Sequence, residues 1–237
     1  MTQTITIARR YCGPPESGNG GYVCGLLADF IDGPVLMRLQ EPTPLDVAME
    51  VRQVQGGVEL IRGATVIATA RRSEVALAVP RAPDYAHAEA AARDYRGFKS
   101  HPFPTCFVCG PERKTGDGMR VFPGKVAGTG LVASPWVPDA SLADGAGSVR
   151  REFLWAALDC PGAFSFEVAD GAALLLGEMA AAISGSVKAR ERCVVIGWEL
   201  TRDGRRHYTG TALFAESGEL RGLARATWFE IPPPEKA

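Results

Sequence analysis

The feature that most constrains this 237-residue chain is a pattern that occurs twice, a helix followed by a series of strands. In the first half, apolar residues recur at helical spacing over residues 20–31, after a short strand at 4–9. The strand-like runs that follow lie at 35–40, 47–55 and 58–71. In the second half, strand-like runs at 119–122 and 130–136 precede a helical pattern at 149–158. Four more strand-like runs follow it, at 174–187, 193–201, 207–215 and 219–231. This order of elements predicts an internal duplication.

Residue identities also favour a duplication. Residues 56–70 (GGVELIRGATVIATA) and 217–229 (SGELRGLARATWF) each contain a glycine turn, then Glu-Leu, then Arg-Gly, then an alternating strand. Two unrelated hairpins could share this turn chemistry, but the matching order of helix and strands favours a true repeat.

The predicted fold class is α+β. A long antiparallel sheet with an alternating pattern needs one face covered, and a single central helix can cover it. We expect a first unit at residues 1–80, a bridging segment at 81–117 with a short helix over 85–95, and a second unit at 118–237. Pairing of the two units would cover strand edges and apolar surface.

Charge and composition exclude several classes of function. The chain has 26 Lys+Arg against 27 Asp+Glu, and this balance argues against a nucleic-acid partner. The longest apolar stretch, 171–187, contains Glu178 and is too short to span a membrane. The N-terminus has no apolar core of signal-peptide length, and six cysteines are too few for a disulfide scaffold. We expect a soluble, cytoplasmic protein.

The sequence lacks the common motifs of hydrolases and cofactor enzymes. It has no GxSxG, no complete dinucleotide fingerprint, no P-loop and no HExxH, and it has only three histidines. We therefore predict no cofactor and no catalytic metal. Chemistry in this chain would depend on carboxylates, backbone dipoles and bound water.

The start of the first helix is a candidate site. Residues 18–22 (GNGGY) place Asn19 as N-cap and Gly20, Gly21 and Tyr22 in the first turn. Glycines there let a ligand oxygen approach free backbone N–H groups at the positive end of the helix dipole. This arrangement can polarise a carbonyl. The alternative is a capped helix without a ligand.

Two carboxylates are candidates for acid–base chemistry. Asp159 ends an apolar helical face in FLWAALDCPGAF, where burial should raise its pKa toward use as a general base. The pattern places the end of that helix at Cys160-Pro161-Gly162. Asp29 has a comparable position in the first helix. Either carboxylate could instead be a surface residue.

These motifs resemble the double hot-dog acyl-CoA thioesterases over roughly residues 1–80 and 118–232. NGGYVCGLLAD is similar to the His-Gly-Gly helix start of that superfamily, with Asn19 in place of the histidine. FLWAALDCPGAF is similar to the helix that carries the catalytic acid, which falls on Asp159. The resemblance implies tandem hot-dog folds, in which each antiparallel sheet wraps around a central helix.

The resemblance also implies an activity. An acyl-CoA or acyl-carrier thioester would lie between the units, the amides of Gly20 and Gly21 would polarise its carbonyl, and Asp159 would activate water or attack directly. Tyr22 and Asp29 would contact substrate, and a homo-oligomer is expected. The second helix lacks the Gly-Gly start. A non-catalytic protein that binds acyl thioesters is therefore the alternative, and an enoyl-thioester hydratase is a weaker one.

The bridging segment contains the chain's one CxxCG motif. Cys106 and Cys109 have the spacing of half a zinc site, and His101 with Cys12 or Cys160 could complete it. A dithiol redox pair and a tight turn of small apolar thiols are the alternatives, and the turn is favoured. A metal-stabilised structural protein is a third hypothesis for the chain. Two cationic residues, Arg113 and Lys114, follow the motif. They could contact the phosphates of CoA or form a solvated pair in a loop.

Overall fold

A computed structural model describes residues 3–168 and 172–231. The strands in these residues are β1 Gln3–Thr6, β2 Val35–Leu39, β3 Ala48–Val54, β4 Gly57–Arg62, β5 Thr65–Arg72, β6 Gly124–Val126, β7 Leu131–Trp136, β8 Ala173–Ile183, β9 Cys193–Asp203, β10 Arg206–Ala215 and β11 Leu220–Ile231. The α-helices are α1 Gly20–Ala28, α2 Tyr85–Arg93, α3 Arg151–Ala157 and α4 Cys160–Ala163. Short 3-10 helices lie at Arg9–Tyr11, Arg96–Phe98 and Ala140–Leu142. The α+β class is confirmed.

The eleven strands form one antiparallel sheet in the order β1-β3-β4-β5-β2-β8-β11-β10-β9-β7-β6. The sequence predicted two sheets, one for each half of the chain. They are continuous because β2 pairs with β8, with Met37 opposite Met179 and both side chains fully buried. Arg38 Nε also meets Glu178 Oε2 at 3.0 Å across this junction. Pairing these two strands removes an exposed edge from each half.

The strand predicted at 58–71 is wrong in one respect, because it is a hairpin. Gly63 turns the chain between β4 and β5 with a φ of 59°, a conformation that glycine adopts without steric cost. The proposed repeat aligns Arg62-Gly63 with Arg221-Gly222, which lies inside β11, where Arg221 is skipped in the pairing with β10. The two Arg-Gly pairs are therefore not structurally equivalent.

The strand predicted at 119–122 is also not formed. Arg120 adopts a φ of 59°, in the left-handed region that interrupts a strand. The next strand, β6, begins at Gly124. The N–H groups of Met119 and Val121 instead donate to the carbonyls of Phe107 and Val108 in the bridging segment.

Helices α1 and α3 pack against each other very closely. A Cβ added to Gly21 would lie 2.5 Å from Asp159 Cβ, and one added to Gly25 would lie 2.5 Å from Glu152 Cα. Gly21 and Gly25 are one helical turn apart, so they form a flat stripe that receives the other helix. The N-terminal end of α1 meets the C-terminal end of α3, and the two helices are antiparallel.

The segment after α3 corrects the predicted helix end. Helix α3 stops at Ala157, and α4 begins at Cys160 with Pro161 in its first turn. Proline is favoured in the first turn of a helix, where its missing N–H has no partner to lose. Asp159 therefore lies at the junction of two helices, and Cys160 begins the second.

The bridging segment is part of the core. Helix α2 packs on β6 and β7, and the CxxCG region has its Phe107 and Val108 fully buried. The division at residues 80 and 117 stays a prediction, and residues 1–2, 169–171 and 232–237 of the predicted units lie outside the described residues. In the part of the chain described, no helix is long and apolar enough to cross a membrane.

Candidate functional site

The N-terminus of α1 and the α3–α4 junction meet at the wall of a cavity of about 390 Å³. This volume is in the range of ligand pockets. One side of the cavity is formed by the α1 start, the α3–α4 junction and several residues of the bridging segment. The residues from the first two are Asn19, Gly20, Asp159, Cys160, Ala163 and Phe164.

Asp159 is the central polar group of this wall. Its Oδ2 atom accepts hydrogen bonds from Asn19 Nδ2 and from the backbone N–H of Gly21, both at 2.8 Å. Its Oδ1 atom is buried and has no hydrogen-bond partner among the described residues. The side chain is therefore held in place through one oxygen, while the other can accept a bond from a molecule in the cavity.

The environment of Asp159 makes it a stronger base than an ordinary carboxylate. Burial raises its pKa to about 7. The hydrogen bonds from Gly21 and Asn19 act in the opposite direction, and the negative charge of Cys106 raises the pKa further. Burial is the largest of these effects, because the charged form loses its hydration without gaining a cationic partner.

Asn19 connects the helix start to the carboxylate. Its Oδ1 accepts the N–H of Tyr22 at 3.0 Å and caps α1, while its Nδ2 donates to Asp159. The helix places the N–H of Gly21 on Asp159 as well. Within the described chain, the N–H of Gly20 has no acceptor, and Gly20 lines the cavity. One amide at the positive end of α1 is thus free for a ligand oxygen.

A cluster of thiols lies next to this carboxylate. The Sγ atoms of Cys106, Cys109 and Cys160 are within 4.8 Å of one another, and all three residues line the cavity. His101 Nε2 lies 3.3 Å from Cys109 Sγ. Hydrogen bonds from the other two thiols hold the pKa of the Cys106 thiol well below its ordinary value. We call these three cysteines the thiol cluster.

The rest of the wall is mainly apolar. Strand β8 contributes Leu174, Leu175 and Leu176, and β11 contributes Trp228, whose Nε1 donates to Thr209 Oγ1 at 3.1 Å. Charged side chains also line the cavity: Arg96, Lys99 and Glu167. The cavity therefore joins an apolar space to polar groups concentrated at Asp159.

The structure brings some of the predicted site residues together and not others. Asn19 and Gly20 line the cavity with Asp159, and Gly21 contacts the Asp159 carboxylate. The four predicted substrate-binding residues are outside the lining: Tyr22, Asp29, Arg113 and Lys114.

Each of these four residues lies outside the cavity and has different contacts. Tyr22 is buried and stacks on Tyr11 with ring centroids 4.3 Å apart. Asp29 caps the C-terminal end of α1, about 15 Å along the helix from Asn19 at a rise of about 1.5 Å per residue. Arg113 donates to the carbonyls of Thr105 and of Arg10, and Lys114 is exposed.

The leucines of β8 and Trp228 are cavity residues that the sequence did not predict. Neighbouring residues of a regular strand point to opposite faces, so three consecutive leucines would not be expected at one cavity. The register shifts at Gly177, opposite the step from Thr227 to Trp228 in β11. A glycine inside a strand pattern is a signal of such a bulge, and it could have drawn attention to this segment.

Comparison with known proteins gives a match at the level of fold. No family model matches the sequence, and no match is found among the curated proteins. Among solved structures, the acyl-CoA thioesterase II TesB2 of Mycobacterium marinum superposes with a TM-score of 0.61 at 12% identity, covering 98% of this chain and 94% of that one. A tesB protein of Mycobacterium avium subsp. paratuberculosis gives a TM-score of 0.59 at 11% identity over 91% and 88% of the two chains.

A third structure carries the name of the fold itself. A conserved protein with a hot-dog fold from Alicyclobacillus acidocaldarius superposes with a TM-score of 0.59 at 10% identity, covering 97% of this chain and 93% of that one. At these identities the likeness establishes the fold. The predicted resemblance is confirmed at that level: the chain has the tandem hot-dog fold, and TesB-type thioesterases are among its structural neighbours.

Proposed function

We propose that this protein hydrolyses an acyl thioester, either an acyl-CoA or an acyl-carrier thioester. The observation that carries the proposal is the meeting of Asp159 with the start of α1 at the wall of an apolar cavity. The name of one structural neighbour, the acyl-CoA thioesterase II TesB2, supports the same class of reaction.

The carbonyl of the thioester would be polarised at the start of α1. The free N–H of Gly20 would donate to the carbonyl oxygen, with the positive end of the helix dipole behind it. The N–H of Gly21 was expected to share this role, but it is engaged with Asp159 Oδ2. Its part in the proposal is to hold the carboxylate next to the carbonyl.

Asp159 would act as the general base. Its free Oδ1 atom would accept a proton from a water molecule, and the resulting hydroxide would attack the carbonyl carbon. Collapse of the tetrahedral intermediate breaks the carbon–sulfur bond and releases the thiol, which takes the proton back from Asp159. The products are a carboxylic acid, which releases its proton to water, and the free thiol of the carrier. The bond from Asn19 keeps Oδ2 fixed so that Oδ1 faces the substrate.

The cavity favours an apolar acyl group. Its leucines and Trp228 offer no hydrogen-bonding groups to a polar acyl chain apart from the indole N–H, which is already bonded to Thr209. Lys99 is exposed and lines the cavity, so it would contact a phosphate of the carrier. It would take the role that the sequence suggested for Arg113 and Lys114.

The test is release of free CoA from short, long and aromatic acyl-CoAs, separated by chromatography so that protein thiols do not interfere. Asp159→Asn should lower kcat by about 100-fold or more, because general bases contribute factors of this size. Asp29→Asn is the matched control, since it changes the same side chain at the other end of α1 and should keep full activity.

Turnover and binding measured on the wild type distinguish hydrolysis from binding alone. Saturable binding of acyl-CoA without turnover in the wild type would favour the alternative, a non-catalytic protein that binds acyl thioesters. Equal turnover by Asp159→Asn and the wild type would contradict the proposed base. The homo-oligomer and the cytoplasmic location remain predictions.

A further inference from the structure

The thiol cluster has features that a purely structural role does not explain. It combines the CxxC pair of the bridging segment, Cys106 and Cys109, with Cys160 of the second unit. All three side chains are buried, and yet all three line the same cavity. The Sγ atoms of Cys106 and Cys160 are 4.0 Å apart. Three thiols from two distant segments converge on one point.

The spacing of the sulfur atoms fits a metal ion better than a disulfide. In a tetrahedral zinc site, with bonds of about 2.3 Å, neighbouring thiolate sulfurs are separated by about 3.8 Å. The Sγ atoms of Cys106 and Cys160 are 4.0 Å apart, and all three Sγ atoms of the cluster lie within 4.8 Å of one another. Both distances are near that spacing. A disulfide would join two of the sulfurs at about 2 Å and leave the third without a role.

His101 is a further residue next to the thiol cluster, and its hydrogen bonds define its role. Its Nδ1 accepts the backbone N–H of Phe103 at 2.9 Å, so the neutral ring carries its proton on Nε2. Nε2 faces Cys109 Sγ at 3.3 Å and therefore donates to that sulfur. A protonated nitrogen cannot bind a metal, but it is a good donor to a metal-bound thiolate. His101 is a positioning residue.

We propose that Cys106, Cys109 and Cys160 bind one zinc ion through their sulfur atoms, with His101 donating to the sulfur of Cys109. Three protein ligands leave one of the four positions of zinc open, as in zinc sites that keep a position for water or substrate. Because all three cysteines line the cavity, the open position would face it. Its ligand would be water or the thiol of a substrate.

The proposed ion would also connect parts of the chain that are far apart in sequence. Cys109 belongs to the bridging segment and Cys160 begins α4. The ion would hold that segment against the α3–α4 junction, one residue from Asp159. Binding of metal to the native state alone stabilises a protein by mass action. Removal of zinc should therefore lower the melting temperature, whether or not the protein is a thioesterase.

The first experiment measures zinc in the purified protein by elemental analysis. We expect one zinc per chain in the wild type and in Cys193→Ser, a control in which a buried cysteine outside the cavity is changed. Cys109→Ser and Cys160→Ser should each lose the metal. Absence of zinc from the wild type, together with no uptake when Zn²⁺ is added to the reduced protein, would overturn the proposal. Retention of zinc in both cluster variants would overturn it as well.

A second experiment does not depend on the folding of the cysteine variants. Wild-type protein is stripped of metal with a chelator and titrated with Co²⁺, whose thiolate charge-transfer absorption reports the number of sulfur ligands. We expect an intensity corresponding to three sulfurs. His101→Ala should keep that intensity while weakening zinc binding by about 10–100-fold, as is typical when a partner of a metal ligand is removed. Loss of one ligand from the cobalt spectrum in His101→Ala would show that the assignment of roles is wrong.

Discussion

The amide of Asn19 donates to Asp159 Oδ2 at 2.8 Å, although 140 residues separate the two side chains. One belongs to the cap of α1 in the first half of the chain, and the other to the α3–α4 junction in the second. The site therefore exists only when the two helices are packed together. The glycine stripe at Gly21 and Gly25 is what permits this approach.

Substitutions of Asn19 should distinguish its role as the N-cap of α1 from its hydrogen bond to Asp159. Serine can still cap α1, so Asn19→Ser should remain within about 1 kcal/mol of the wild type in stability. It cannot supply the amide donor, and kcat should fall while KM changes little. Asn19→Ala loses both functions and should be less stable than Asn19→Ser. Urea unfolding and acyl-CoA kinetics on the same preparations give both readings.

The control for this prediction is the cap of another helix. Asp84 caps α2 by accepting the N–H of His87 at 2.9 Å, outside the cavity. Asp84→Ala should cost about 1 kcal/mol of stability and leave kcat unchanged. If Asp84→Ala lowered kcat as strongly as Asn19→Ser, loss of stability alone would account for the effect of Asn19.

Gly21→Ala should destabilise the protein through the contact between α1 and α3. The new methyl group would meet Asp159 Cβ at 2.5 Å and the backbone oxygen of Trp155 at 2.8 Å. Overpacking of this kind typically costs about 1–3 kcal/mol. Gly145→Ala is the matched control, because nothing lies within 4 Å of its added Cβ, and it should stay within about 0.5 kcal/mol. Equal midpoints in urea would contradict close helix packing.

Arg113 should be needed for stability and Lys114 should not. The Arg113 guanidinium donates to Thr105 O at 2.7 Å, to Arg10 O at 2.9 Å and to Asp117 Oδ2 at 3.0 Å. Arg113→Ala leaves these acceptors without a charged donor and should cost about 1.5–3 kcal/mol. Lys114→Ala should be nearly neutral. A rise in KM for acyl-CoA in Lys114→Ala would instead support the contact with phosphate that the sequence suggested.

Glu152 should make the protein less stable as the pH rises. Burial raises its pKa in the folded chain above the ordinary value of 4.5, and the charge of Arg150 lowers it only in part. The unfolded chain therefore loses this proton first, and stability is lost as the pH rises from about 4.5 through the folded pKa. Glu152→Gln removes the ionisation, so the variant should gain stability over the wild type at pH 8 and lose that gain near pH 4.

Thermal unfolding across this pH range tests the prediction for Glu152. The difference in melting temperature between Glu152→Gln and the wild type should grow with pH. Glu50→Gln is the matched control, because it makes the same substitution at an exposed position of β3. A constant difference for Glu152→Gln would mean that its carboxylate is not destabilised by burial.

Local patterns determined much of the fold. Apolar spacing predicted the start of α1 at Gly20 and the helix α2 from Tyr85, because helical periodicity and N-caps are encoded within a few residues. The strand predictions were wrong where a single residue adopts a left-handed backbone conformation. The φ values of Gly63 and Arg120 interrupt runs whose side chains alone read as continuous strands.

Short sequence motifs identified Asn19, Gly20, Gly21 and Asp159 as candidate site residues. Which of their atoms meet depends on the packing of α1 against α3. Gly21 gives its amide to Asp159 and Gly20 keeps its own free, because the close crossing of α1 and α3 places the carboxylate over one N–H and not the other. The convergence of Cys160 with the CxxC pair likewise depends on long-range packing, which local sequence patterns do not specify.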